Sequence, residues 1–248
     1  MAEGKDMRSH ELDGNGDPVG PVVVGWTPRP RPSRTVMEGR AVRLEPLSTD
    51  HVQDLFIAYS ADKSGRMWTY LAVGPFDSEA DFATLVGSMI PSEDPLFFAA
   101  VDKASSRAVG IVSYLRIDPA NGSIEVGWVA WSPLMQRSPV STEAQYLLMK
   151  HAFEDLGYRR YEWKCNALNA PSMKAAERLG FSYEGTFRQA VIVKGRNRDT
   201  AWFSVIDSDW PALKASFEAW LRPDNFDVEG RQKKRLQDFR SFGAASTL

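Results

Sequence analysis

A segment from Gln136 to Phe181 constrains the fold of this chain more than any other part. It opens with a turn, Gln136–Val140, that leads into a run of apolar residues at helical spacing. A strand-like stretch, Tyr161–Cys165, follows. A second helix is then predicted to open at Asn169 and to close at Leu179-Gly180. A turn feeding a helix, then a strand, then a capped helix is a specific order of parts.

The turn before the first of these helices has the properties of an anion site. The first N–H groups of a helix have no partner within it, and the positive end of the helix dipole adds to their effect. Ser141 or Thr142 is predicted to start the helix, with Glu143 favourable in its first turn. An ordinary capped core helix has the same local pattern, so spacing alone leaves both interpretations open.

Taken whole, the segment resembles the coenzyme-binding half of the GNAT superfamily of N-acetyltransferases. The opening of its second helix, Asn169 to Ser172, resembles the ribosomal-protein N-terminal (RimJ/RimL-type) branch. The resemblance covers about residues 37 to 207 and implies an α/β (α+β) fold. It implies a mixed, mostly antiparallel central sheet with helices on both faces and a splayed strand pair for acetyl-CoA. The family loop usually has glycine where this chain has Pro139 and Ser141, and proline removes one amide donor.

The resemblance implies that the strand before the turn, Glu125–Trp131, binds the coenzyme. Its exposed backbone groups would bond the pantetheine arm, as in β-strand addition. A backbone N–H near Val129 or Ala130 would face the thioester carbonyl. The residues implied in coenzyme binding are Val129, Ala130, Trp131, Gln136, Arg137, Ser138, Val140, Ser141, Thr142 and Asn169.

Two residues are candidates for catalysis. Glu125 is a carboxylate on an otherwise apolar strand and could take a proton from the acceptor amine. A surface-facing glutamate, or one that only anchors the substrate, is the alternative. Many family members place a tyrosine where this chain has Ala176, so the resemblance assigns the acid role to Ser172, whose hydroxyl could donate to the departing sulfur. A serine that only caps the helix is the alternative for Ser172, and Asn169 equally fits a plain N-cap.

The resemblance places the acceptor between the early helix loop and the late hairpin. Aromatic candidates to line that pocket are Trp68, Tyr70, Phe76 and Trp202, and core packing is the competing interpretation for each. Cys165 lies in a predicted strand, has no base near it in sequence and is interpreted as a buried, inert cysteine. Three scattered histidines have no metal-ligand spacing, so no metal is expected.

Composition excludes several classes of protein. A net charge of −2 argues against nucleic-acid binding, and no apolar run approaches the ~20 residues of a membrane span. The N-terminus has no apolar segment of the kind found in signal peptides. One cysteine in the whole chain excludes an internal disulfide and fits a reducing cytosol. We therefore expect a cytoplasmic protein with no membrane or nucleic-acid partner.

Pattern along the chain divides it into three parts. Residues 1–36 form a Pro- and Gly-rich arm in which Val22–Val24 and Trp26 could dock on the domain or on a second subunit, so a homodimer stays open. Residues 37–207 form the acetyltransferase domain, with the predicted order β-α-α-β-β-β-α-β-α-β-β. Residues 208–248 form an amphipathic helix, capped by Ser208, and a charged tail predicted to be solvated.

These inferences predict an N-acetyltransferase that moves an acetyl group from acetyl-CoA to a primary amine by direct transfer in a ternary complex. The amine could belong to a small molecule or to a protein N-terminus. A non-catalytic acyl-CoA-binding or interaction module is the alternative, supported by Pro139 and Ala176. A nucleotide-binding protein is disfavoured, because the chain has neither a P-loop nor a dinucleotide fingerprint.

Overall fold

The computed structural model describes residues 10 to 240 of the 248-residue chain. The strands are β1 Glu11–Leu12, β2 Pro18–Val19, β3 Met37–Glu38, β4 Val42–Pro46, β5 Leu96–Asp102, β6 Arg107–Asp118, β7 Ser123–Trp131, β8 Arg160–Asn166, β9 Ser182–Val193 and β10 Arg196–Ile206. The α-helices are α1 Val52–Ser60, α2 Glu79–Met89, α3 Pro139–Lys150, α4 Ala170–Leu179 and α5 Trp210–Leu221. From β4 to β10 the elements follow the predicted order.

Eight of these strands form one sheet, in the spatial order β3-β4-β5-β6-β7-β8-β10-β9. Neighbouring strands are antiparallel except β7 and β8, which are parallel and joined by the α3 crossover. This topology confirms the predicted mixed, mostly antiparallel sheet. The short β1 and β2 pair with each other outside it.

Two hydrophobic cores lie on opposite faces of the sheet. One contains side chains from α3, α4 and α5, such as Leu148, Ala176 and Phe217, and the other contains side chains from α1 and α2, such as Leu55 and Phe82. Successive residues of a strand point to opposite faces, so the central strands β5, β6 and β7 contribute to both cores. Helices therefore cover both faces, as predicted.

Local rules fix the ends of several elements. The Ser78 hydroxyl accepts a hydrogen bond from the Asp81 backbone N–H at 3.1 Å and caps α2. An Asn-Gly turn joins β6 to β7, with Gly122 at φ +64°. Helix α5 begins one residue later than predicted, because Asp209 occupies the N-cap position in place of Ser208.

The N-terminal arm docks on the domain through Trp26. The Trp26 indole N–H donates to the Ala120 carbonyl at 2.8 Å, and the Arg29 guanidinium lies 4.4 Å from the ring centroid. Gly122 leaves room for the ring, since a Cβ there would lie 2.3 Å from a Trp26 carbon. Val22–Val24 remain exposed. The arm was predicted to dock either on the domain or on a second subunit, and Trp26 docks on the domain.

The tail was predicted to be solvated, but between α5 and residue 240 part of it is buried. Leu236 is 1% exposed and packs into the core beside α5, and the Phe226 ring lies edge-on to Trp220 at 5.1 Å. These apolar residues are spaced too widely in a charged segment to give a periodic signal. The basic run near Arg231 is exposed, and Arg231 pairs with Asp227 at 2.8 Å. Residues 241–248 lie outside the described part.

Candidate active site at the splay between β7 and β8

Strands β7 and β8 are paired along only part of their length. Their parallel register runs from Ser123 opposite Arg160 to Val126 opposite Trp163 and stops there, although both strands continue. Against β6, β7 has one extra residue between Gly127 and Ala130, where Trp128 has φ +50°. Such a bulge bends its strand. The result is a V-shaped opening between the second halves of β7 and β8.

A tight loop connects the open end of β7 to α3. The Gln136 side-chain amide donates to the Trp131 carbonyl at 2.8 Å, and the Ser138 hydroxyl donates to the Met135 carbonyl at 2.6 Å. Arg137, at φ +58°, is exposed at the turn. The loop thus folds back on the strand end and presents the start of α3 to the opening.

Helix α3 begins earlier than predicted. Ser138 is its N-cap and Pro139 its first residue, so neither Ser141 nor Thr142 starts it. Proline is well tolerated at this position, because a first-turn N–H has no intrahelical partner and the fixed φ suits the helix. The backbone N–H groups of Val140 and Ser141 belong to the same unpaired first turn. Pro139 therefore removes one donor from the anion site without disturbing the helix.

Two further residues near the start of α3 have uses that the sequence did not indicate. Instead of serving the helix dipole, the buried Glu143 carboxylate accepts N–H hydrogen bonds from Arg40, Ala41 and Val42, at 2.8, 2.6 and 3.0 Å. The Thr142 hydroxyl accepts a hydrogen bond from the Arg178 guanidinium at 2.7 Å. Burial lowers the pKa of Arg178. A cation thus lies close to the N-terminal end of α3, where it favours an anionic ligand.

Ser172 lies at the beginning of α4, beside the open end of β8. Its backbone N–H donates to the Asn169 side chain at 3.2 Å, so Asn169 is the helix N-cap. Its hydroxyl oxygen accepts from the Trp163 indole N–H at 3.0 Å, which leaves the hydroxyl hydrogen available. Burial raises the pKa of the Cys165 thiol, and hydrogen bonding to Ser172 opposes that rise. Ala176, one turn further, is fully buried in the core.

Glu125 lies on the opposite sheet face from its neighbours Ile124 and Val126, which are in the α3 core. Its side chain is 4% exposed. One carboxylate oxygen, Oε2, contacts the Arg116 guanidinium at 2.7 Å and the Lys164 ammonium at 2.9 Å. These two cations provide the pairing that a buried carboxylate requires.

The charged cluster extends across the strands. Lys164, 5% exposed, also contacts Glu162 at 2.7 Å, and Arg160 contacts both Glu162, at 2.6 Å, and Glu184, at 2.5 Å. Burial raises the pKa of the Glu125 carboxyl, while Lys164 and then Arg116 oppose that rise. A base with a raised pKa is better matched to an ammonium substrate than an exposed glutamate is.

The four aromatic candidates for the acceptor pocket separate into two pairs. Trp68 and Phe76 belong to the α1–α2 core, where their rings meet edge-on at 5.4 Å. Trp202 lies beside Glu125, because its ring is 3.6 Å from the Lys164 ammonium. Tyr70 bridges to the start of α4, with its hydroxyl donating to the Leu168 carbonyl at 2.9 Å. Of the four candidates, Trp202 thus lies near the charged cluster and Tyr70 near the opening.

Sequence reasoning missed Lys164 and Lys194. The Lys194 ammonium, at the tip of the β9–β10 hairpin, donates to the carbonyls of Trp68, Val73 and Gly74 at 3.0, 3.2 and 3.0 Å. It joins the hairpin to the loop between α1 and α2. Lys164 had a signal, since Glu162 and Lys164 alternate with three apolar residues on β8 and so define a charged face. Lys194 had none, because its contacts are far away in the chain.

Within residues 10–240, no helix is long and apolar enough to cross a membrane. The same part of the chain has no group of three or more His, Cys, Asp or Glu side chains arranged to hold a metal ion.

A mixed sheet with a splayed parallel strand pair and a helix N-terminus at its mouth is the arrangement that the resemblance to coenzyme A-dependent acyltransferases implies. The model of the acetyltransferase (GNAT) domain matches residues 41–182. The chain therefore belongs to the GNAT acetyltransferase family and is an acetyl-CoA-dependent N-acyltransferase.

Individual relatives agree with this assignment. A GCN5-related N-acetyltransferase from Brucella melitensis has a similar crystal structure, with a TM-score of 0.86 and 54% identity over 87% of this chain and 98% of that one. The ribosomal-protein-serine acetyltransferase of Escherichia coli is 24% identical over 71% of this chain and 99% of its own length. The acetyltransferase MccE, solved with acetyl-CoA and AMP, shares the fold at 22% identity and a TM-score of 0.59, over 68% of this chain and 93% of that one.

Proposed function

We propose that this chain transfers the acetyl group of acetyl-CoA directly to a primary amine held in the same complex. The observation that carries the proposal is the opening between β7 and β8, which has the α3 N-terminus at one side and Glu125 and Ser172 near its edges. A thioester held in such an opening has unpaired strand groups, a carboxylate and a hydroxyl within one site.

Coenzyme binding is assigned to the opening and the loop. The unpaired backbone of β7 at Val129, Ala130 and Trp131 would hold the pantetheine arm by strand-like hydrogen bonds. First-turn N–H groups of α3 and the exposed Arg137 would bind the pyrophosphate. Arg178 adds a positive charge beside that turn, which compensates for the donor lost at Pro139.

Proton transfer is assigned to two side chains. The Oε1 oxygen of Glu125, which has no ion-pair contact with residues 10–240, would take a proton from the acceptor ammonium, directly or through one water. The Ser172 hydroxyl would donate its proton to the departing sulfur and regain one from water, since its oxygen already accepts from Trp163 and its hydrogen is free to turn. A preorganised backbone donor near Val129 would stabilise the carbonyl oxygen, an effect worth ~3–4 kcal/mol in comparable sites.

Acetyl-CoA binding and turnover test the proposal in two steps. Acetyl-CoA should raise the melting temperature, because a ligand that binds only the folded state stabilises it, whereas ATP and NAD should have no effect. Release of free coenzyme A should then depend on an added amine, and Glu125→Gln should reduce that release without weakening coenzyme binding. Binding without release across a broad amine panel would support a non-catalytic acyl-CoA-binding module instead, and stabilisation by NAD alone would reject the family site.

A further inference from the structure

The sheet face that carries Glu125 has one cation more than its ion pairs account for. Around Glu125, each cation described so far has a carboxylate partner: Arg116 and Lys164 share Glu125, and Lys164 and Arg160 share Glu162. Arg198 is different, because it makes no ion pair with any residue between 10 and 240. Its Nε is buried and has no hydrogen-bond partner in that part of the chain.

Strand register places Arg198 at the open end of the splay. On β10, Trp202 is opposite Lys164 and Thr200 is opposite Asn166, the last residue of β8. Alternate residues of a strand point to the same face, so Arg198 shares the face of Trp202, beyond the end of β8. Burial lowers the pKa of Arg198, and Cys165 and then Glu125 oppose that lowering, so Arg198 is within electrostatic reach of both. The guanidinium stays charged at neutral pH.

A second unpaired donor lies on the same face. The Trp202 indole N–H is buried and has no hydrogen-bond partner within the described chain. A buried donor without an acceptor is costly, and this applies to both the Trp202 indole N–H and the Arg198 Nε–H. Both donors lack an acceptor within the described chain, and both lie beside the charged cluster that contains the proposed base.

The coenzyme does not supply the missing anion. Its charged groups are phosphates, which the α3 N-terminus and Arg178 are placed to bind, and the pantetheine arm that would lie in the opening is uncharged. We propose that the acceptor is a small primary amine that also carries a carboxylate or phosphate, and that Arg198 binds this group. The inference rests on the proposed acetyl transfer and narrows its acceptor class.

Closure of the site is consistent with a small acceptor. Lys194, close to Arg198 on the same hairpin, binds three carbonyls of the loop between α1 and α2. Tyr70 of that loop binds the Leu168 carbonyl at the start of α4. Hairpin, loop and helix are thus connected around the charged face, which leaves less access for a folded protein substrate than for a small molecule.

Matched amine pairs test the inference. The acids 4-aminobutanoate and 2-aminoethyl phosphate would be compared with 4-aminobutanamide and ethanolamine, and the two acids show which anion is preferred. We expect kcat/KM to favour the acid of a pair by roughly ten- to a hundred-fold, the size expected for a hydrogen bond to a charged group. Arg198→Met should remove this preference and Arg198→Lys should keep part of it. Arg188→Met is the matched control, because Arg188 is an exposed arginine of β9 on the same hairpin. This variant should keep the full preference for the acid.

A second readout does not depend on turnover. With acetyl-CoA bound to the unchanged protein, the acids should raise the melting temperature more than their neutral partners do. In Arg198→Met, acid and neutral partner should raise it by the same small amount. Retained stabilisation by acetyl-CoA shows that each variant is folded. Equal kcat/KM and equal stabilisation by acid and neutral partner would overturn the inference while leaving acetyl transfer intact. Failure to bind acetyl-CoA at all would reject the proposed function itself.

Discussion

The Lys164 ammonium lies 2.9 Å from the Glu125 carboxylate and 2.7 Å from the Glu162 carboxylate, so one buried cation is shared by two acids on adjacent strands. Burial alone would raise the pKa of Glu125 further than the observed surroundings do, because Lys164 is the largest influence in the opposite direction. Lys164 is therefore a positioning residue that determines at which pH the proposed base is ionised.

Lys164→Met should move the acid limb of the kcat/KM profile to higher pH. Activity requires the ionised carboxylate, so it is lost as pH falls through the Glu125 pKa, and removing Lys164 raises that pKa. We expect a displacement of about one pH unit or more, the order produced by one nearby opposite charge. Lys164→Arg should retain the original limb. A loss of equal size at every pH would show that Lys164 only maintains the structure.

Ser172→Ala should reduce turnover by roughly ten- to a hundred-fold, toward the lower end of general-acid effects. Acetyl-CoA affinity should barely change, because the proposed phosphate and pantetheine contacts lie on α3 and β7. Trp163→Phe is the informative companion, since it removes the donor to the Ser172 oxygen but leaves the hydroxyl, and its loss should be smaller. Steady-state kinetics and coenzyme titration separate the two effects. A fully active, normally folded Ser172→Ala protein would leave the acid role to water.

Much of this fold could be predicted because its signals are local. Apolar runs bounded by turn residues indicated β5, β6 and β7, and side-chain capping indicated the start of α4 at Asn169. These features depend on residues a few positions apart, where propensity and spacing decide the outcome. The start of α3 was predicted too late in the chain, because Pro139 was assigned to the preceding loop although proline suits the first position of a helix.

The chemistry of the site was less accessible, because it depends on strand register. Glu125 stood out as a charge on an apolar strand, but its partners Arg116 and Lys164 come from β6 and β8. Alternation assigns a residue to a face, whereas only the register shows which residue of the next strand is opposite. Contacts between distant segments, such as Glu143 with the backbone before β4, have no local signature.

Glu143 should be a determinant of stability and not of catalysis. Glu143→Ala would leave the buried N–H of Val42 and the partly buried N–H groups of Arg40 and Ala41 without an acceptor, and should lower the free energy of unfolding by about 3 kcal/mol or more. Glu143→Gln keeps one acceptor oxygen, so its loss of unfolding free energy should be smaller than that of Glu143→Ala. Urea unfolding measures both, with Glu79→Ala, at an exposed position in the first turn of α2, as the control. Similar losses for Glu143→Ala and the control would contradict this role.

Lys194 should control access of the acceptor amine without affecting the coenzyme. Its three hydrogen bonds hold the hairpin tip on the loop that contains Trp68 and Gly74, on the side of the sheet where we propose that the acceptor binds. Lys194→Met removes all three donors, so the loop should open more often and the KM for the acceptor should rise several-fold, in keeping with hydrogen bonds from a charged donor.

The coenzyme dissociation constant should stay the same for Lys194→Met, because acetyl-CoA is assigned to the opening between β7 and β8 and not to this loop. Hydrogen exchange of residues 66–76 reports the opening directly, and it should accelerate in Lys194→Met but not in Arg188→Met, which changes an exposed arginine of the same hairpin. Lys194→Arg should restore part of the protection, since it supplies donors of a different shape. Unchanged exchange together with an unchanged acceptor KM would mean that the loop is held by its own packing around Trp68 and Phe76.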